Sequence, residues 1–337
     1  MRVILRIFKG LLLLFALLLL VYFLGPKVEE PNLNTSLPKI TSDLALLEQN
    51  IVDKENSNPK IKAGNASKII WYDSVPSQTP YSIVYLHGWS ASTAEGEPLH
   101  MEMAKRYGCN LYLPRLAGHG LNEEEPMLNL TADDVLNSAK EAIAIGKQLG
   151  RKVILMATST GGTLALHLTG SDPDVAGLLL YSPNIEIYDK NAKLLSGPWG
   201  LQLARLVKDS DYHEFEADSL KSQYWTTKYR VEALTHLQSL MDHTMNEDTF
   251  NRMTRPAFVG YFYKNDSIQD KVVSVEAILR MFDQLGTPPS LKRKIAFSEV
   301  NDHVMTSYIT SEDLESVRRE TSEYLEEVLN LEAVEVQ

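Results

Sequence analysis

The chain has 337 residues, 44% hydrophobic and 23% charged, the balance of a globular protein of one large or two ordinary domains rather than a disordered one. Its single cysteine, Cys109, excludes an internal disulfide framework and a cysteine-built zinc cluster. With 33 basic against 44 acidic residues the net charge is −11, which argues against nucleic-acid binding through a basic face.

Arg2, Arg6 and Lys9 precede Gly10–Leu24, a run whose polar content is the Tyr22 hydroxyl alone. The run is shorter than the roughly 20 residues of a membrane span. Extended back to Val3 it suffices, with Arg6 and Lys9 snorkelling toward headgroups. It ends Tyr22-Phe23-Leu24-Gly25-Pro26, a poor cleavage site. Residues 1–25 therefore read as an uncleaved anchor, with the basic end cytoplasmic and the remainder outside; a secreted form after signal cleavage is the alternative. Residues 26–65 read as a linker, punctuated by Pro26, Pro31, Pro38 and Pro59. It carries one short helix through Leu44, Leu47 and Ile51, capped by Thr41 or Ser42.

From residue 66 to 332 the pattern alternates strand and helix. Strands are expected at Lys68–Tyr72, Ser82–Leu86, Cys109–Leu113, Lys152–Ala157, Gly177–Tyr181, Ala257–Tyr263 and Lys292–Phe297. Helices are expected at Pro98–Tyr107, Thr131–Leu149, Thr163–Leu168, Val275–Leu285 and Asp313–Leu329. Thr131 with Asp134 reads as a helix-starting box, and Gly150 follows the last turn. Such alternation predicts an α/β fold with a mostly parallel sheet covered on both faces. Residues 190–255 break the alternation: no strand is expected there, helices are expected around Leu201–Val207 and Val231–Met241, and aromatic residues are frequent. This insert reads as a helical cap over the strand ends, since structureless loops of such length are uncommon.

Three motifs carry chemistry. In Met156-Ala157-Thr158-Ser159-Thr160-Gly161-Gly162 a buried strand ends, a serine follows between small residues, and a helix begins at once. That is the setting of a nucleophile elbow, with Ala157 in place of the first Gly of G-x-S-x-G. A serine among small residues also occurs as an ordinary helix cap. Leu86-His87-Gly88-Trp89-Ser90 follows a strand, where the Trp89 amide, with the Thr160 amide after the serine, can face a developing oxyanion. His87 itself reads as structural. Asn301-Asp302-His303 lies between the last strand and the last helix, and His303 is the candidate general base. Two carboxylates follow strand 257–263, Asp266 and Asp270, and Asp270 is preferred.

With Pro114-Arg115-Leu116-Ala117-Gly118-His119-Gly120 and Asp270-Lys271-Val272-Val273 added, these motifs resemble the α/β-hydrolase superfamily over residues 66–330. The likeness is to its cap-bearing serine hydrolases, such as monoacylglycerol lipases and carboxylesterases. The resemblance implies a serine hydrolase cleaving carboxylic esters through Ser159, His303 and Asp270, with no metal or organic cofactor. The apolar N-terminus and the aromatic cap point to lipid-like or other apolar esters. A peptidase, thioesterase or acyltransferase on the same residues, or a hydrolase fold kept as a binding module, are the alternatives.

Overall fold

Along each central strand the apolar side chains point alternately to two cores, so both faces of the sheet must be covered. The structure, a computed structural model describing residues 2–334, meets that demand. Helices α1 (Arg2–Phe23) and α2 (Leu44–Asn56) precede strands β1 (Lys68–Ile70) and β2 (Thr79–Leu86). Then come α3 (Leu99–Arg106), β3 (Asn110–Leu113), α4 (Ala132–Leu149), β4 (Gly150–Thr158), α5 (Thr160–Thr169) and β5 (Val175–Tyr181). The insert holds α6 (Gly200–Lys208), β6 (Tyr212–Glu214), α7 (Ser219–Tyr224), β7 (Lys228–Arg230), α8 (Val231–Thr244) and α9 (Glu247–Arg252). The chain returns through β8 (Ala257–Phe262), α10 (Val275–Gln284), β9 (Lys292–Phe297) and α11 (Leu314–Glu327).

Seven strands form one sheet in the order β1-β3-β2-β4-β5-β8-β9. β1 runs antiparallel to β3, and the other pairings in this sheet are parallel. Val84, Leu86, Leu155, Ala157, Leu178 and Leu180 enter a core shared with α2, α4, α5, α8 and α10. Ile83, Tyr85, Ile154, Met156, Leu179 and Tyr181 enter the opposite core, closed by α3 and α11. The expected box at the start of α4 is formed: the Thr131 hydroxyl accepts from the Asp134 amide at 3.1 Å, and the Asp134 carboxylate accepts from the Thr131 amide at 3.0 Å.

Two expectations need correction. The cap of α2 is Asp43, which accepts from the Leu46 amide at 3.0 Å, rather than Thr41 or Ser42. Leu47 and Ile51 are buried in the main core, and Glu55 forms a two-pronged pair with Arg115, both bonds 2.9 Å. The segment before it is held along the domain as well: Pro26 accepts from the Trp199 amide at 2.8 Å, and Asp133 accepts from the Asn32 amide at 2.7 Å. Residues 26–65 are thus a fastened strap. The second correction concerns residues 190–255, where β6 and β7 pair as a small antiparallel ribbon. Its strands are too short and too charged to stand out in the sequence. The buried Tyr229 anchors it to the main core, and the Lys228–Glu214 pair at 2.6 Å lies across its exposed side.

Candidate active site

Because β2, β4, β8 and β9 run the same way, their carboxyl ends share one edge of the sheet, and the loops leaving that edge converge. Trp89, Ser159, Thr160, Asp270 and His303 all line one cavity of ≈ 770 Å³ there. The cap contributes Leu203, Val207, Phe215, Trp225 and Leu237 to the lining, together with Lys208, His213 and Lys221, so its share of the wall is mostly but not wholly apolar.

Ser159 sits between β4 and α5 with φ 53° and ψ −120°, a backbone region that side-chain-bearing residues seldom occupy. The strain persists because neighbours over-determine the turn. The Ser159 amide donates to the Tyr181 carbonyl at 3.0 Å, and its carbonyl accepts from the Asn184 and Gly162 amides, each at 2.9 Å. Gly161 is the strict small residue: a Cβ there would lie 1.9 Å from the Leu86 carbonyl oxygen. Ala157, two residues before the serine, pairs with Leu86 and Leu180 inside the sheet, and its methyl packs in the core. The departure from G-x-S-x-G therefore falls on the tolerant side of the turn.

Asp270 and His303 are brought together. His303 Nδ1 lies 2.6 Å from Asp270 Oδ2, while Asp270 Oδ1 accepts from the amides of Val272 at 2.8 Å and Val273 at 3.1 Å. Burial works to raise the Asp270 carboxyl, but His303 and these amides outweigh it and hold the pKa below the ordinary value. Burial works to lower the His303 pKa, and the Asp270 carboxylate outweighs it, so the ring's pKa is raised. His303 Nε2 is buried without a protein partner. Asp266 lies elsewhere: exposed, it accepts from the Tyr263 hydroxyl at 2.8 Å. Among the described residues, the Trp89 and Thr160 amides donate to no protein acceptor.

His87 ties two loops together, with Nδ1 2.9 Å from the Gly88 carbonyl and Nε2 accepting from the Leu116 amide at 3.0 Å. Its ring meets His119 edge-on at 5.0 Å, and His119 in turn meets Trp89 at 5.5 Å. These contacts hold the Trp89 loop against the Arg115–His119 loop.

Sequence reasoning missed Glu95. Fully buried, it lines the same cavity and accepts from the Gly88 amide at 2.6 Å. The Tyr85 hydroxyl lies 3.2 Å from the same carboxylate oxygen and 2.9 Å from Thr158 Oγ1, so Glu95 buttresses both the Trp89 loop and the residue before Ser159. Burial pushes its carboxyl up to about 7, against the downward pull of the Gly88 amide. No local signal separates Glu95 from the exposed Glu97 two residues on.

The model of the alpha/beta hydrolase family matches residues 83–318. The chain belongs to the alpha/beta hydrolase family. A similar member is a thermostable monoacylglycerol lipase from Bacillus sp. (strain H-257), 32% identical over 108 residues. That match covers 32% of this hydrolase and 42% of the lipase, so the chain spans less than half of the relative it matches. Among solved hydrolase structures, one from work on the metagenome-derived lipolytic enzymes LipS and LipT superposes with a TM-score of 0.63 at 18% identity, covering 79% of this chain and 99% of the other. Est1E from Butyrivibrio proteoclasticus superposes with a TM-score of 0.52 at 15% identity, covering 80% and 98%. At these identities the structures speak for the fold.

Proposed function

We propose that this hydrolase cleaves carboxylic esters through an acyl-enzyme on Ser159. The observation that carries the reading is the cavity that Ser159 shares with the His303–Asp270 pair at the carboxyl edge of the sheet. Ser159 Oγ attacks the ester carbonyl while His303 Nε2 takes its proton. The Trp89 and Thr160 amides donate to the oxygen that becomes negative. His303 then protonates the departing alcohol, and a water activated by the same ring releases the acid and restores the serine. Asp270 keeps the ring in the required tautomer and stabilises its charged form.

The aliphatic and aromatic side chains that the cap adds to the cavity wall favour lipid-like acyl esters, and α1 supplies the means of reaching them. Ile4–Phe23 is long and apolar enough to cross a membrane, and none of it is buried against the domain. In this reading α1 is a retained anchor, with the basic end cytoplasmic and the hydrolase domain on the other side. Labelling with a fluorophosphonate is the test. Ser159 takes the label, Ser159→Ala does not, and hydrolysis of an ester series rises with acyl length. An unlabelled Ser159 would leave a binding module, and a preference for amides or thioesters would move the chain to the rival chemistries.

A further inference from the structure

Several cap side chains face both outward and into the cavity. Leu194, Leu203 and Val207 line the cavity, yet they are 53%, 37% and 84% exposed. They therefore mark its mouth. Leu206 extends the patch at 77% exposure, and the carbonyls of Leu195 and Leu194 lie against Gly200 at the start of α6. A patch of exposed large aliphatic side chains on one short helix calls for a partner.

The end of α1 lies at the same place. The Trp199 indole donates to the Val21 carbonyl at 3.1 Å, and the Trp199 amide donates to the Pro26 carbonyl at 2.8 Å. Gly25 passes beneath the indole so closely that a Cβ there would sit 2.0 Å from its nitrogen. Trp199 adopts φ 64°, a left-handed conformation, and caps α6. An indole fixed at the last turn of a membrane-spanning helix stands at the level where tryptophan is enriched, the bilayer–water interface. Leu206 and Val207 follow Trp199 along α6 at about 1.5 Å per residue, which puts them ~10–12 Å from it. The strap after Pro26 is bonded to Asp133, so the domain cannot swing freely away from the anchor.

We propose that the outer face of α6, carrying Leu203, Leu206 and Val207, rests in the surface of the bilayer that holds α1, so that the cavity opens to lipid and takes its ester from the membrane. The inference rests on the ester-hydrolase reading and on retention of α1. The occupant is a bilayer rather than a second copy, because the anchor's exit point is attached to the start of this helix.

The test uses the full chain in phosphatidylcholine vesicles that contain a nitroxide-headgroup lipid. Cys109 is buried and its thiol is pushed up to about 12, so it does not compete for labelling at neutral pH. An NBD fluorophore is placed at Leu206→Cys, or at Glu323→Cys on α11, across the sheet. Strong nitroxide quenching at 206 and weak quenching at 323 is the expected result; equal quenching overturns the proposal. Shielding of 206 from nitroxide, with cross-linking between copies through that position, would seat a second chain on the face and also overturn it. In a second arm, Leu206→Glu slows hydrolysis of monooleoylglycerol in vesicles by about tenfold, the factor expected for losing one buried aliphatic side chain, and leaves 4-nitrophenyl butyrate turnover unchanged. Unchanged vesicle hydrolysis refutes the proposal. If the unsubstituted chain hydrolyses neither ester, the hydrolase reading fails, and quenching still decides where α6 lies.

Discussion

Glu95→Gln isolates a buried carboxyl whose effect can be sized from the structure. The side chain is fully buried, and its pKa rises from 4.5 to about 7. A carboxyl with a raised folded-state pKa favours folding most at pH below its unfolded value. That contribution is lost as pH rises from about 4.5 through about 7, because the unfolded chain ionises first. The stability of the parent chain should therefore fall by roughly 2–3 kcal/mol relative to the glutamine variant between about pH 5 and pH 8.5. Glutamine keeps an acceptor for the Gly88 amide, so the variant should match the parent near pH 5. The His303–Asp270 hydrogen bond is common to both proteins, so the pair enters the difference only through the part of the His303 pKa that the Glu95 charge supplies. Urea unfolding followed by tryptophan fluorescence at several pH values measures it. A stability difference that does not change with pH would refute the argument. Activity gives a second reading: the negative charge of Glu95 helps raise the His303 pKa, so the acid limb of kcat/KM should move to lower pH in the variant.

The two carboxylates after β8 should behave unequally. Asp270→Asn should lower kcat by ~10⁴ by removing the partner that orients His303, whereas Asp266→Asn, which touches only the Tyr263 hydroxyl in the exposed loop, should change it little. Comparable losses would undo the acid assignment. In the parent enzyme, kcat/KM with a soluble ester should fall as pH drops through a pKa above 6.5, because in the proposed mechanism His303 must be neutral to accept the serine proton, and Asp270 raises its pKa. An acid limb below 6.5 would contradict the observed pairing. Ser159→Ala should retain the parent's unfolding free energy within about 1 kcal/mol while losing turnover by ~10⁴–10⁶, since the hydroxyl is not among the bonds that hold the turn.

Much of this architecture is written in short-range pattern. Lys292–Phe297 is expected and found as a strand with the same bounds, and the Thr131–Asp134 box forms as read. Such features depend on residues one to four positions apart, and the mostly parallel pairing then follows from the helices that connect successive strands. The serine turn was legible for the same reason: strand, small residues and helix are contiguous. Other features depend on partners far along the chain. Asp270 and Asp266 follow the same strand, and what distinguishes them is a histidine thirty-three positions from Asp270. The β6–β7 ribbon has no apolar alternation of its own and is fixed by Tyr229, which is buried in the main core. Glu95 looks like any acidic residue until folding removes its water, and Trp199 looks like a cap aromatic until the end of α1 lies beneath its indole. Periodicity and motif order are local properties, so the chain displays them unfolded. Burial and the choice of hydrogen-bond partner arise only when distant segments meet.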